Sequence, residues 1–531
     1  MNPAVAILGC NFDADLKRAF QELAAVLQLR VDFSLEGNLN GLAGTVSVLN
    51  SAAAAPVALP SLPRFQFIPG NNGGLANSSG AAIEFSDDPV LPAFLRRKKI
   101  ILGKESGWQF LDAPQLGEVV ASINGRPVWR INRESGCPVW SVSTPQPRLH
   151  AGERLSQCLN GETFLPLLPL YLFLRELSPE AHWQAPPLRA CLVVDDPNLH
   201  ARTYGHIDYP SLAKLARENR FHVAMATIPL DAWWTNAGAA RIFRENPRSL
   251  SLLVHGNDHW HGELARPLRN GERDEIVLQS LKRIESLERR AGIHVDRVMA
   301  PPHGVCAPEM LDALRTGGYE GMTTNRWSLW KHNPPARLPA SLGLQPADLL
   351  GGGLPVLNRF RFKSSISHGE TIMAAVMRQP VIPYGHHQDF AGGLAHVQAA
   401  VEKVNSLGAV RWMSLREILE TNFEHRIDRV TFYVRMFSRR IKLTPPAGIT
   451  TVQIENAPFS GEPPQKFEVA WPQGKLVVST GEPATIPPGV ELEIREVAAA
   501  APVVKAVRPA YKSTFVCLRR LVSETRDRLR I

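Results

Sequence analysis

The sequence predicts an α/β protein centred on a (β/α) barrel of about seven strands, closed or incomplete, with an N-terminal α/β domain before it and a small β-sandwich-like domain after it. Three observations carry this expectation. Apolar runs of strand length recur at Ala190 to Val194, His222 to Ile228, Leu250 to Val254, Val295 to Met299, Gly321 to Thr324, Val381 to Tyr384 and Ala409 to Met413. Several segments between them, 274–291 and 394–406 among these, have helical periodicity. Alternating strands and helices imply a parallel sheet whose C-terminal strand ends form the active face. From residue 426 the pattern changes to short runs, Val430 to Val434, Thr450 to Ile454, Lys466 to Trp471, Lys475 to Ser479 and Val490 to Ile494, separated by Pro and Gly clusters.

Taken in order, residues 4–8 read as a buried strand, 14–29 as an amphipathic helix and 29–33 as a second strand, so a domain over 1–185 opens as an α/β unit. The stretch Gly70-Asn-Asn-Gly-Gly74 with Ser78, Ser79 and Gly80 lacks the Gly-Lys-Ser/Thr ending of a phosphate loop and reads as turns. Gln184-Ala-Pro-Pro187 reads as a linker, followed by the barrel over 186–425, the sandwich over 426–500 and a tail over 501–531. The tail places Phe515, Leu518, Leu521, Val522 and Leu529 near one helical face with Arg519, Arg520, Arg526, Arg528 and Arg530 elsewhere. Such a helix either lies on an anionic membrane surface or packs on its own protein, and packing is the reading preferred.

A chain of 531 residues, 44% hydrophobic, is long enough for two to four domains with ordinary cores. The net charge of +9 is scattered except in the tail, which gives no basic stripe for a phosphate backbone and argues against nucleic acid. Six widely spaced cysteines, without a Cys-x-x-Cys pair, exclude a thiolate zinc site and a dense disulfide framework. The N-terminus has neither a basic region nor an apolar stretch of signal-peptide length, so the chain is read as cytoplasmic, and the sequon at Asn77 as accidental.

Two adjacent carboxylates, Asp195 and Asp196, end the first barrel run, and the third ends in His255-Gly-Asn-Asp-His259. A hard divalent cation takes oxygen or imidazole ligands aimed at one point. Asp196 with His255 and His259 supplies three such ligands and leaves positions open for water and substrate, while Asp195 is free to act as a base. Either motif alone is weak evidence; their placement at the tips of two strands in one repeating region is what gives them weight. Sugar rings stack on aromatic faces, and Trp233, Trp234, Trp260 and Tyr384 lie near the expected tips, as subsite walls or as plain loop anchors.

Over residues 188–420 the sequence resembles the polysaccharide deacetylase family, also called NodB-homology domains or carbohydrate esterase family 4. Val193-Val194-Asp195-Asp196 is similar to the family's Thr-Phe-Asp-Asp, and His255-Gly256-Asn257-Asp258-His259 to its His-Ser/Thr-x-x-His. Ala300-Pro301-Pro302-His303-Gly304 resembles Arg-x-Pro-x-Gly, and Val381 to His387 resembles the closing strand that ends in a His acid; Arg411 to Ile418 looks like the final strand and helix. The resemblance implies Asp195 as base, Asp196, His255 and His259 as ligands of Zn²⁺ or of Co²⁺, Ni²⁺ or Mn²⁺, and His386 or His387 as the acid, with a slight preference for His386. His303 is either a pocket residue or a turn residue. The implied activity is removal of an N-acetyl or other acyl group from a sugar or glycan.

Three departures stand out. Gly256 replaces the hydroxyl residue that steadies the family's metal loop, Pro197 follows the Asp pair where the family has Gly, and Ala300 stands where the family has an Arg that holds the base ionised. Arg326, Arg359 or His303 is expected to take over that role. If none does, the alternative is a catalytically silent barrel that binds carbohydrate or a biosynthetic partner. A third class, an amidohydrolase acting on a non-sugar amide, uses similar chemistry.

Overall fold

A computed structural model describes residues 3–8, 13–33, 42–49, 61–68, 81–102, 108–134, 136–161, 163–269, 271–333, 338–364, 367–456, 465–497 and 513–529. The Gly70–Gly80 stretch and the Asn77 sequon lie outside them. The chain divides into two compact units, one of residues 1–184 with 339–344 and 368–376, the other of 185–338, 345–367 and 377–531.

The first unit is a mixed nine-stranded sheet. Ala4–Leu8 pairs in parallel with Arg30–Asp32 and Leu42–Val48, and the parallel part continues through Arg64–Phe67 to Val139–Val142. Beyond that the pairing turns antiparallel through Arg126–Asn132, Glu118–Ile123, Ala82–Phe85 and Lys99–Ile101. The helix Ala14–Val26 is capped by Asp13, whose carboxylate accepts from the Leu16 N–H, and buries Leu16, Phe20 and Leu23.

The second unit holds another nine-stranded sheet, in the order Asp348–Leu350, Leu354–Asn358, Gly321–Thr324, Val295–Ala300, Leu250–His255, Val223–Thr227, Leu192–Asp195, Pro383–His386, Phe360–Arg361. Every pairing is parallel except that of Asp348–Leu350. Buried on both sides, its strands are the near-continuous apolar runs seen in the sequence.

The sheet is open in its hydrogen bonding yet curls on itself. Leu354–Asn358 lies toward one edge and Phe360–Arg361 forms the other, so residue 359 alone spans the seam. Its N–H donates to Thr324 O on one side, while Phe360 N–H donates to Ile382 O on the other.

This differs from the expected seven strands in two ways. The Ala409–Met413 run contributes only Arg411–Trp412, paired with Arg189–Ala190 in a separate two-stranded sheet. Asp348–Leu350, Leu354–Asn358 and Phe360–Arg361 join instead; Gly351, Gly352, Gly353 and Pro355 masked them as turns.

The interior of the curled sheet follows from the two-residue strand period. Val193, Ala224, Ala226, Leu253, Val298, Ala300, Leu357 and Ile382 form one buried cluster. Two residues beyond Val193 and Leu253 come Asp195 and His255, so the same alternation that builds the core turns these groups inward at the strand ends. Within the same unit, Phe423–Asp428, Thr431–Met436, Thr451–Glu455 and Pro483–Thr485 form one four-stranded sheet. Arg440–Leu443, Leu492–Glu496, Lys466–Trp471 and Gly474–Ser479 form a second, and one apolar core including Val434, Val452, Val469 and Ile494 lies between them. No helix among the described residues is long and apolar enough to cross a membrane.

Candidate metal centre

Asp196 leaves its strand with φ +80° and His259 has φ +55°, left-handed conformations that bulky residues seldom adopt. Both bring their side chains to His255, and ligand atoms of the three lie within 4.8 Å of one another. Oδ1 of Asp196 is 3.1 Å from Nε2 of His259 and 3.4 Å from Nε2 of His255, is buried, and takes a hydrogen bond from neither ring. His255 Nδ1 sits 2.8 Å from Ala300 O, a carbonyl that can only accept. The ring proton is therefore on Nδ1, and the bare Nε2 lone pair faces Asp196. An orphaned carboxylate oxygen beside an imidazole lone pair is electrostatically unfavourable by itself and fits a cation at their common focus.

The loop that carries the histidines is held without the family's hydroxyl. Glu263, buried, accepts from the backbone N–H of Asn257 at 2.7 Å and of Asp258 at 3.0 Å. Gly256 has φ +65°, and a Cβ there would collide with the Glu263 carboxylate and the Pro302 ring. Glycine at this position and a carboxylate seven residues on thus form one solution to holding the loop.

Asp195 is 2% exposed and receives both ends of the Arg359 guanidinium, Nη1 to Oδ1 at 2.6 Å and Nη2 to Oδ2 at 2.8 Å. Burial pushes its pKa up, and the opposing charge of Arg359, with smaller help from His255 and His386, brings it below the ordinary value. The cation expected beside Asp195 is thus Arg359, at the seam of the sheet. Arg326 does not reach Asp195; it bonds Gln379 instead. Arg359 also lies over the Tyr384 ring, 4.3 Å from its centroid.

The adjacent histidines part ways. His386 Nε2 is 3.9 Å from Asp195 Oδ2, and its Nδ1 accepts from Arg361 at 3.0 Å. His387 is buried on the other side, its ring edge-on to Tyr204 and stacked on His206, with Nε2 3.5 Å from Asp527 Oδ1. Asp389 accepts from the backbone N–H of His386 at 2.9 Å. Nothing in the residues around His387 signals that its carboxylate neighbour comes from residue 527.

His303, with φ +59°, stands between His259 and His261 at ring distances of 5.1 and 4.9 Å. Burial first, then the neighbouring imidazoles, lower its pKa to about 4. Trp233, Trp234 and Trp260 are exposed. Trp260 carries the Arg519 guanidinium over its ring at 4.6 Å, and Trp233 packs against His200 at 5.1 Å.

No family model and no curated protein matches the chain. Solved structures similar to it include a family 4 carbohydrate esterase from Streptomyces lividans, 13% identical with a TM-score of 0.26 over 42% of this chain and 88% of that one. A Streptococcus mutans CE4 esterase is 14% identical with a TM-score of 0.27 over 43% and 86%. A polysaccharide deacetylase from Bacillus cereus is 13% identical with a TM-score of 0.25 over 44% and 93%. The similarity covers less than half of this chain.

Proposed function

We propose that the protein is a metal-dependent hydrolase that removes an N-acetyl or other acyl group from a sugar or glycan. The observation that carries this reading is the convergence of Asp196, His255 and His259 beside a second carboxylate, Asp195, clamped by Arg359. Bound by those three residues, a divalent ion, Zn²⁺ foremost with Co²⁺, Ni²⁺ or Mn²⁺ as alternatives, supplies Lewis acidity for the amide carbonyl and acidifies the attacking water.

Asp195, kept ionised, takes the proton of that water. His386 faces Asp195 and delivers a proton to the departing nitrogen. As imidazolium it carries a proton on Nδ1, where Arg361 now donates, so charging His386 requires that contact to open. His387, facing Tyr204 and Asp527, is read as a support of this wall rather than the acid. His303, neutral across the physiological range, lines the pocket with Tyr384, Trp260 and Trp233 as candidate walls for sugar C–H faces.

The silent-barrel alternative rested on the absence of an Arg at position 300, and the Arg359 pair supports the active reading over it. The test is acetate release from a panel of N-acetylated glycans by purified protein with Zn²⁺ or Co²⁺. Release that disappears in Asp195→Asn is expected; metal uptake without release from any substrate would reject the enzyme. Within this reading the protein works in the cytoplasm on a precursor or a saccharide under assembly, with the tail near a membrane face. Cell fractionation that finds it outside the cell would reject that setting.

A further inference from the structure

A surface helix ordinarily buries its apolar stripe. Among the described side chains of the C-terminal helix, Ser513–Leu529, the order is reversed: Leu518, Leu521 and Val522 are 60%, 50% and 68% exposed, whereas Arg520, Glu524 and Asp527 are each under 10%. Positions 520, 524 and 527 share one helical face. That face meets the loops at the C-terminal ends of the sheet strands.

The contacts come from residues 519–527 of the helix. Arg520 donates from Nε and Nη2 to the buried carboxylate of Asp231, at 3.0 and 2.7 Å, in the loop after Val223–Thr227. Its Nη2 also donates to the backbone carbonyl of Asp196 at 3.3 Å. Arg519 donates to the backbone carbonyl of His259 at 2.7 Å while covering Trp260. Glu524 lies 2.9 Å from His200 Nδ1, and Asp527 accepts from the Tyr204 hydroxyl at 2.9 Å and faces His387. The loops carrying Asp196, Asp231, His259 and His387 are thus tied to a single helix.

Of the three candidate ligands, Asp196 and His259 have positive φ, and theirs are the two carbonyls that the adjacent arginines hold. A left-handed non-glycine residue persists when its surroundings fix it, and here a hydrogen bond to each peptide does so. Apolar packing alone would not require this choice of atoms.

We infer that Arg519 and Arg520 are positioning residues of the metal centre, which hold the peptides of Asp196 and His259 in the conformation that aims both side chains at one point. The inference rests on the metal-site reading above. It assigns to the tail a part in building the site, because groups that orient metal ligands commonly change affinity ten- to a hundredfold when removed.

The experiment uses the full chain and Co²⁺ as probe, followed by titration and by its visible absorption. Arg519→Met and the paired Arg520→Met with Asp231→Asn, which avoids leaving Asp231 buried without a cation, are compared with the outward-face variant Leu521→Gln. Both site variants are expected to bind Co²⁺ about tenfold or more weakly, with an altered absorption band, while Leu521→Gln binds as wild type. Co²⁺ affinity and spectrum unchanged in both site variants, with only the metal-free thermal midpoint lowered, would reduce the helix to a structural staple and overturn the inference. Wild type that binds no Co²⁺, or His255→Ala that binds as tightly as wild type, would overturn the metal-site reading itself.

Discussion

At the scale of single residues, the pairing of Asp195 with Arg359 decides the charge of the proposed base. A buried carboxylate without a cation becomes a neutral acid. Arg359→Met therefore leaves burial unopposed, raises the pKa of Asp195 and moves the acid limb of the pH–rate profile to higher pH. Activity at neutral pH should fall about a hundredfold, within the range that a positioned base contributes. A profile of acetate release against pH measures both, and an unshifted acid limb would remove Asp195 from the role of base. Arg359→Lys keeps the charge but loses the two-pronged contact, so it should lie between wild type and Met.

At the scale of elements, the histidine loop depends on a glycine and a distant carboxylate together. Gly256→Ala places a Cβ at φ +65° against Glu263 and Pro302. The expected cost is on the order of 1–3 kcal/mol from the backbone conformation, read as a lowered denaturation midpoint. It should be accompanied by weaker metal binding, because the displaced Glu263 holds the two peptides between His255 and His259. Equal metal affinity in Gly256→Ala and wild type would mean that the loop is held by other contacts. Only the existence of this loop was legible in the residues; the carboxylate that holds it comes from beyond the motif.

At the scale of the whole molecule, two stability measurements follow. If the three ligands bind Zn²⁺ in the folded state alone, free metal at a hundred times its dissociation constant stabilises the fold by about 2.7 kcal/mol. Added Zn²⁺ should raise the thermal midpoint, a chelator should reverse the rise, and His255→Ala should abolish it.

The second measurement concerns Asp296, buried at the start of the Val295–Ala300 strand, away from the strand tips. Burial raises its pKa to about 7, only partly opposed by the Arg416 N–H and its charge. A carboxyl raised in the folded state binds its proton there more tightly than when unfolded. Its stabilising contribution is therefore complete below the unfolded value near 4 and is lost as pH rises to about 7. Asp296→Asn should remove this decline, which is on the order of 4 kcal/mol, and gain stability relative to wild type at pH 8 but not at pH 4. Parallel denaturation curves of the two proteins at both pH values would contradict it.

What the sequence determined by itself was local. The two-residue alternation through Val193 and Asp195, and through Leu253 and His255, puts chemical groups at the ends of buried strands. The spacing of His255 and His259 marks them as a pair because short-range geometry is written in adjacent residues. The partners of those groups were decided by tertiary structure. Arg359 reaches Asp195 because the chain crosses the seam of a curled sheet there, across 164 positions of sequence. The strand that delivers it was hidden by Gly351 to Gly353 and Pro355. The tail was legible as a helix packed on its own protein but not in the face it uses: its apolar stripe suggested an inward face, yet the strand-tip loops offer it a carboxylate, two carbonyls and a histidine. Buried polar groups must be satisfied, and in this fold that requirement outweighs the burial of three aliphatic side chains.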